Sequence, residues 1–254
     1  MRRFVCIAAL AAALPAAVTG VARAQEIPPV PPPAVKPPPA RVNASGEFSF
    51  VNTGGNAEST SIGVRGEFIY RPNPWVMRWR GGFVRLESDE ALQAQSFVFL
   101  FRAERPRSAR VSAFGEYNYL RDLFAGLEHK NVVNAGLSYA LAETARQKLI
   151  LDGSIGLSRE IRVLGDDLTA AVLLGGVGYL VRLSSTSEVT EDVRYEQSLD
   201  HDEDWRLDNT LALVTKINSV FSLKVSHVVR YAHAPVDGFQ STDTITSVAL
   251  VAKF

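Results

Sequence analysis

Residues 221–231 read FSLKVSHVVRY, with Phe221, Leu223, Val225, Val229 and Tyr231 on the odd positions and Ser222, Lys224, Ser226 and Arg230 on the even ones. Alternation with a period of two marks a β-strand that has one apolar and one polar face. The stretch 207–217, LDNTLALVTKI, carries the same pattern just upstream. Working outward from these two gives twelve alternating segments, at about 44–52, 59–70, 75–87, 92–103, 108–120, 130–141, 147–159, 169–182, 187–197, 205–216, 219–232 and 242–254. Most are twice as long as the five or six residues of an average soluble strand. They match the roughly 9–11 residues that a tilted strand needs to cross a bilayer.

Four further features agree with a membrane barrel. If the more apolar face of each segment points outward, nearly all aromatics lie outside, and Phe114 alone points in, while Phe124 and Phe239 fall in loops. Tyr70, Trp75, Tyr119, Trp205 and Tyr231 sit near segment ends, where interfacial girdles belong. Short links such as Arg71–Pro74 and Glu104–Arg107 alternate with longer ones such as Arg121–His129, Glu160–Leu168, Ser198–Asp204 and Ala232–Ser241. That is the rhythm of periplasmic turns and extracellular loops. The last segment ends on Phe254, as an outer-membrane assembly signal does, which makes the barrel-assembly machinery an expected partner. The expected fold is an all-β, 12-stranded antiparallel outer-membrane barrel over residues 42–254, surrounded by outer-membrane lipid and lipopolysaccharide. A soluble periplasmic β-protein is the alternative fold.

Composition is consistent with this once faces are separated. The chain has 254 residues, 46% of them hydrophobic, and a mean hydropathy of +0.03. A barrel averages to such a value because its two faces cancel. Equal numbers of basic and acidic residues, 27 each, provide no basic footprint for nucleic acid. The single cysteine excludes a disulfide framework.

The N-terminal segment reads as an export signal over residues 1–24. Arg2 and Arg3 are followed by an Ala/Leu/Val-rich stretch and by Ala22-Arg23-Ala24 as a cleavage site. Its removal takes away Cys6 and leaves a net charge of −3, because Arg2, Arg3 and Arg23 go with it. Residues 25–41 then form a periplasmic tether. Its core, PPVPPPAVKPPP at 28–39, holds eight of the 13 prolines and favours extended polyproline II. It serves as a spacer, or as a ligand for peptidoglycan or another periplasmic partner.

No catalytic geometry stands out. His129, His201, His227 and His233 lack a serine two residues on along the same strand face, as an outer-membrane lipid hydrolase would require. No catalytic residue, metal ligand or cofactor is therefore assigned, and the chain is not expected to be an enzyme; a lipid-modifying activity ranks last. Asp200, His201, Asp202, Glu203 and Asp204 make a dense acidic cluster that reads as a solvated extracellular loop. The inward face is the richest in charge. It carries Arg65, Arg78, Arg80, Arg102, Arg110, Lys148, Arg182, Arg194, Arg206, Lys224 and Arg230 against Glu47, Glu67, Glu116, Asp152, Glu188, Asp192, Glu196, Asp208 and Asp243. Such a lumen must be wet or internally paired. It is either a narrow channel whose basic excess favours anions, or an ion-paired interior that closes the barrel into a structural or binding protein.

Short motifs add a family. Val51-Asn52-Thr53-Gly54-Gly55-Asn56, Pro74-Trp75, the run Tyr119–His129, and Thr242-Asp243-Thr244 before a strand ending at Phe254 occur in this order. The chain from about 44 to 254 thereby resembles a Gram-negative outer-membrane family catalogued as domain of unknown function 481. Its members are often labelled YdiY-like, salt-induced or acid-inducible. Ala57 departs from the Ser or Thr that the family often has there. The resemblance implies a barrel, an outer-membrane address and a link to osmotic or acid stress. It implies no established activity.

Overall fold

Backbone N–H and C=O groups have no water to bond within a bilayer, so a sheet that crosses one must close on itself. The computed structural model of the chain describes residues 40–53, 59–88, 91–123 and 125–254 and shows this closure. The expected export signal, most of the expected tether, Gly54, Gly55, Asn56, Ala57 and Phe124 lie outside the described residues. Twelve antiparallel strands follow in order: β1 (Val42–Thr53), β2 (Ser59–Tyr70), β3 (Val76–Ser88), β4 (Ala91–Pro106), β5 (Val111–Asp122), β6 (Leu127–Glu143), β7 (Gln147–Arg162), β8 (Leu168–Arg182), β9 (Ser187–Ser198), β10 (Trp205–Lys216), β11 (Phe221–Ala232) and β12 (Thr242–Lys253). Each pairs with its sequence neighbours, and β1 pairs with β12 to complete the ring. The fold is a 12-stranded outer-membrane barrel.

The outer face is apolar where lipid would touch it. Phe48, Phe50, Val133, Leu137, Ile155, Leu157, Leu173 and Leu250 are all exposed there. Aromatics gather near both strand ends. Trp79 packs against Phe68 and Phe101 with ring centroids 5.5 and 5.2 Å apart, toward the periplasmic turns. Trp205 packs against Tyr195 and Tyr231 at 5.9 and 5.0 Å, toward the extracellular loops. These are cross-strand pairs of the kind that pin register. The polar residues on this face bond to each other: Asn209 donates to Glu191 at 3.3 Å, and His227 Nδ1 lies 2.8 Å from Thr246 Oγ1.

β4, β6 and β7, at 16, 17 and 16 residues, are longer than their sequence pattern implied, and β5 is shifted toward its C-terminal end. β5 runs to Asp122, β6 begins at Leu127, and β7 runs to Arg162. The stretches 121–129 and 160–168, expected as long loops, are partly ladder, at 121–122 and 127–129 in the first and at 160–162 and 168 in the second, so short and long connections differ less than their spacing suggested. The apolar run in β8 is a strand. Its Gly176 faces the lumen, where a Cβ would lie 3.2 Å from that of Asp152.

Candidate functional site

The lumen is the site, and strand alternation decides who enters it. A strand with an apolar residue toward lipid at every second position must turn the residues between inward. The inward rows carry most of the barrel's charge, and those charges are joined into networks.

The lower network centres on Arg102 of β4. Its guanidinium reaches Asp152 of β7 at 2.8 Å, Glu116 of β5 at 3.3 Å and Glu104 at 3.4 Å. Ser138 of β6 ties Arg102 to Asp152 by accepting from one and donating to the other. The same guanidinium lies 3.6 Å from the Phe114 ring centroid, a cation–π contact. Phe114 is thus inside the barrel, packed beneath Arg102. Glu116 takes a second cation, Arg194 of β9, at 3.1 Å, and Arg194 also holds Asp192 at 3.1 Å.

The upper network centres on Glu160 of β7. It is 2% exposed and meets Lys130 of β6 at 3.1 Å, Arg206 of β10 at 2.8 Å and Arg162 at 3.2 Å. Lys130 bonds Glu196 of β9 at 2.7 Å. Above this, Arg230 of β11 donates to Asp122 of β5 at 2.5 Å. Away from the networks, Lys224 bonds Glu47 at 2.8 Å, and Glu67 pairs with Arg80 and, at 3.8 Å, with Arg78.

Several of these pairs cross the lumen. In the ring, β5 and β11 stand directly opposite each other. Twelve strands about 4.8 Å apart, tilted about 40°, make a circular section roughly 24 Å across. An Arg and an Asp side chain joined by a hydrogen bond span at most about 13 Å between Cα atoms. The barrel is therefore flattened where Arg230 meets Asp122. Arg194–Glu116, Arg206–Glu160 and Lys130–Glu196 add crossings at other levels.

The mouth above is strapped. The loop 233–241, between β11 and β12, reaches the opposite loop between β5 and β6. Val236 is 3% exposed, and a Cβ on Gly126 would lie 2.7 Å from the Phe239 ring and 2.9 Å from the Val236 Cβ. Gly126 also has a φ of 71°, which only glycine adopts without strain. Loop contact and ion pair close the same end of the barrel.

The inward residues expected from sequence mostly lie along the wall, with two exceptions. Arg110 lies in the β4–β5 turn and is exposed, and Arg182 ends β8 and donates to the Ala145 carbonyl at 2.6 Å. Both stand at the periplasmic rim because each strand ends there. Arg65, Glu67, Arg78, Arg80, Glu116, Asp152, Asp192, Arg194, Arg206, Lys224 and Arg230 are lumen residues that are half-buried or buried. Asp208 is a lumen residue that remains exposed, flanked in register by Arg194 and Arg230, which donate to other carboxyls. Lys130, Glu160, Asp122 and Glu104 were missing from the expected set. Glu160, Asp122 and Glu104 join it because their strands extend further, and Lys130, the first residue of its expected segment, because its side chain points inward; with them acidic side chains outnumber basic ones among the described lumen residues. The expected basic excess disappears.

The acidic loop is at the surface. Asp200, His201, Asp202 and Glu203 are exposed, while Asp200 accepts from the Ala171 amide at 2.8 Å and Asp204 lies 3.7 Å from Arg206. Among the described residues, no group of three or more His, Cys, Asp and Glu side chains is arranged to hold a metal. Three histidines engage hydroxyls, His129 with Tyr119 at 2.7 Å, His227 with Thr246, and His233 with Tyr231 at 3.2 Å. Phe254, the residue after β12, is 81% exposed.

Comparison with known proteins gives a family and several distant structural likenesses. Residues 46–254 match the family described as "Protein of unknown function, DUF481". No curated protein matches the chain. Among solved structures, the COG4313 outer membrane channel from Pseudomonas putida F1 is similar at 8% identity and a TM-score of 0.49, over 89% of this chain and 100% of that one. The NanC porin is similar at 9% identity and 0.46, over 84% and 97% of the two chains. The KdgM porin in complex with disordered oligogalacturonate is similar at 10% identity and 0.44, over 83% and 98%.

Proposed function

We propose that this chain, which belongs to the DUF481 family, is a narrow outer-membrane diffusion channel restricted by ion pairs that cross its lumen. The observation that carries the reading is the set of crossing pairs Arg194–Glu116, Arg206–Glu160, Lys130–Glu196 and Arg230–Asp122. A barrel needed only as a scaffold can fill its interior with apolar side chains, which is often neutral or stabilising relative to buried ion pairs. A charged, bridged lumen with the exposed carboxyl of Asp208 suits water and small polar solutes. The chain works by passage and not by catalysis.

The osmotic link implied by the family resemblance fits those bridges that water reaches, because salt screens exposed pairs and would so loosen the lumen. The proline run serves as a periplasmic spacer in this reading. A closed structural barrel is the second reading, favoured by the strap of Val236 and Phe239 over Gly126.

Swelling of liposomes loaded with the folded protein tests the proposal. Small sugars and amino acids should enter slowly through the natural chain and faster through Arg230→Ala/Asp122→Ala. Equal impermeability of both proteins, each shown to be heat-modifiable and hence folded, would favour the closed barrel.

A further inference from the structure

The lipid face of β9–β11 carries an acid and a base that a solitary barrel has no use for. Glu191 on β9, Leu211 on β10 and His227 on β11 lie in one register row, with Leu211 opposite both of the others. Glu191 is five residues into a twelve-residue strand and His227 seven into another, so both lie near the middle of the membrane. Ionisable side chains facing lipid at that depth are costly. Their bonds to Asn209 and Thr246 leave each with further hydrogen-bonding capacity. Leu211 between them is 47% exposed.

We propose that this face is the contact between two copies of the chain, related by a two-fold axis along the membrane normal at Leu211. A two-fold contact is isologous: what lies on one side of the axis meets what lies on the other. Glu191 and His227 flank Leu211 by one strand each, so Glu191 of either copy faces His227 of the other, twice over. The row rises across the tilted strands by about 6 Å between these positions, a gap that the two extended side chains can span. An acid facing a base is complementary, whereas an axis at β9 or β11 would set Glu191 or His227 against its own copy. The small thiol-free surface around Leu211 also gives a direct probe, since Cys6 is the only cysteine of the chain.

The test places Leu211→Cys in a Cys6→Ser background and oxidises the folded full-length protein in outer membranes. A disulfide-linked dimer should form at Leu211 and not at Leu137→Cys, on β6. Native mass in detergent should show a dimer that is lost with Glu191→His and with His227→Glu, and restored by combining them, because the double swap returns an acid to face a base. The two positions are two strands apart within one barrel, so restoration cannot arise within a single copy. Monomers throughout, crosslinking at Leu137 as fast as at Leu211, or a double swap that fails to restore the dimer would overturn the proposal. Heat-modifiability of every variant separates loss of contact from loss of fold.

Discussion

Arg230 on β11 bonds Asp122 on β5 at 2.5 Å although the two strands stand opposite each other in the ring. This one contact fixes the section of the barrel at its extracellular end. It draws opposite walls to about half the distance of a circular section. Its energetic worth is modest if both partners are removed together, but leaving one charge buried and alone is costly. That asymmetry gives the first two predictions.

Glu160→Ala should be strongly destabilising. The carboxyl is almost fully buried and holds Lys130, Arg206 and Arg162. Its loss strands cations in the lumen, at a cost of about 3–5 kcal/mol. A fall in the temperature at which the folded band disappears on a heat-modifiability gel measures this.

Removing both partners should separate stability from permeation. Arg206→Ala/Glu160→Ala should recover part of the loss seen with Glu160→Ala alone, because Arg206 is no longer stranded, Lys130 keeps Glu196, and only Arg162 still lacks its carboxyl. Its conductance should nonetheless exceed that of the natural chain by about two-fold, from the wider section left behind. Unfolding in urea together with bilayer recording on the same preparation checks both halves.

Gly126→Leu should open the mouth without unfolding the wall. The side chain would enter space held by Phe239 and Val236, and the φ of 71° costs a non-glycine residue about 1–2 kcal/mol. The loop 233–241 should then become sensitive to protease added outside intact cells. Protection equal to that of the natural chain would show that the strap does not depend on this fit.

The lipid face should be intolerant of charge in a depth-dependent way. Ile155→Arg, on an outward side chain that is 60% exposed in the middle of β7, should cost about 2–4 kcal/mol. Leu164→Arg, in the β7–β8 loop and 55% exposed, should change stability by less than about 0.5 kcal/mol. Equal effects at both positions would contradict the assignment of the outer face.

The strands were legible because alternation is local: each residue of 221–231 reports its own face. The ends of the longest strands were not. Glu160 keeps phase with Asp152, Ser154 and Ser158, and that phase was its only signal. It was passed over because charged residues next to Arg159 and Arg162 look like loop. Asp122 was hidden in the same way, while Lys130 stood at the first position of its expected segment. The crossing pairs were beyond reach of the pattern, since Arg230 and Asp122 are 108 positions apart and meet only because the ring closes and flattens. Arg110 was misplaced because β5 begins at Val111, one residue beyond it, which is enough to move a charge from wall to rim, and Arg182 stands at the rim as the last residue of β8. The strap over Gly126 left one hint, a glycine between two strands, without indicating what packs on it.

Single-channel conductance most directly tests whether the crossing pairs restrict the pore. The natural chain and the combined variant Arg194→Ala/Arg206→Ala/Arg230→Ala would be recorded in planar bilayers, each from heat-modifiable, folded protein. The account predicts small discrete steps for the natural chain and larger ones for the variant. Identical steps in both, or silence from both, would contradict it.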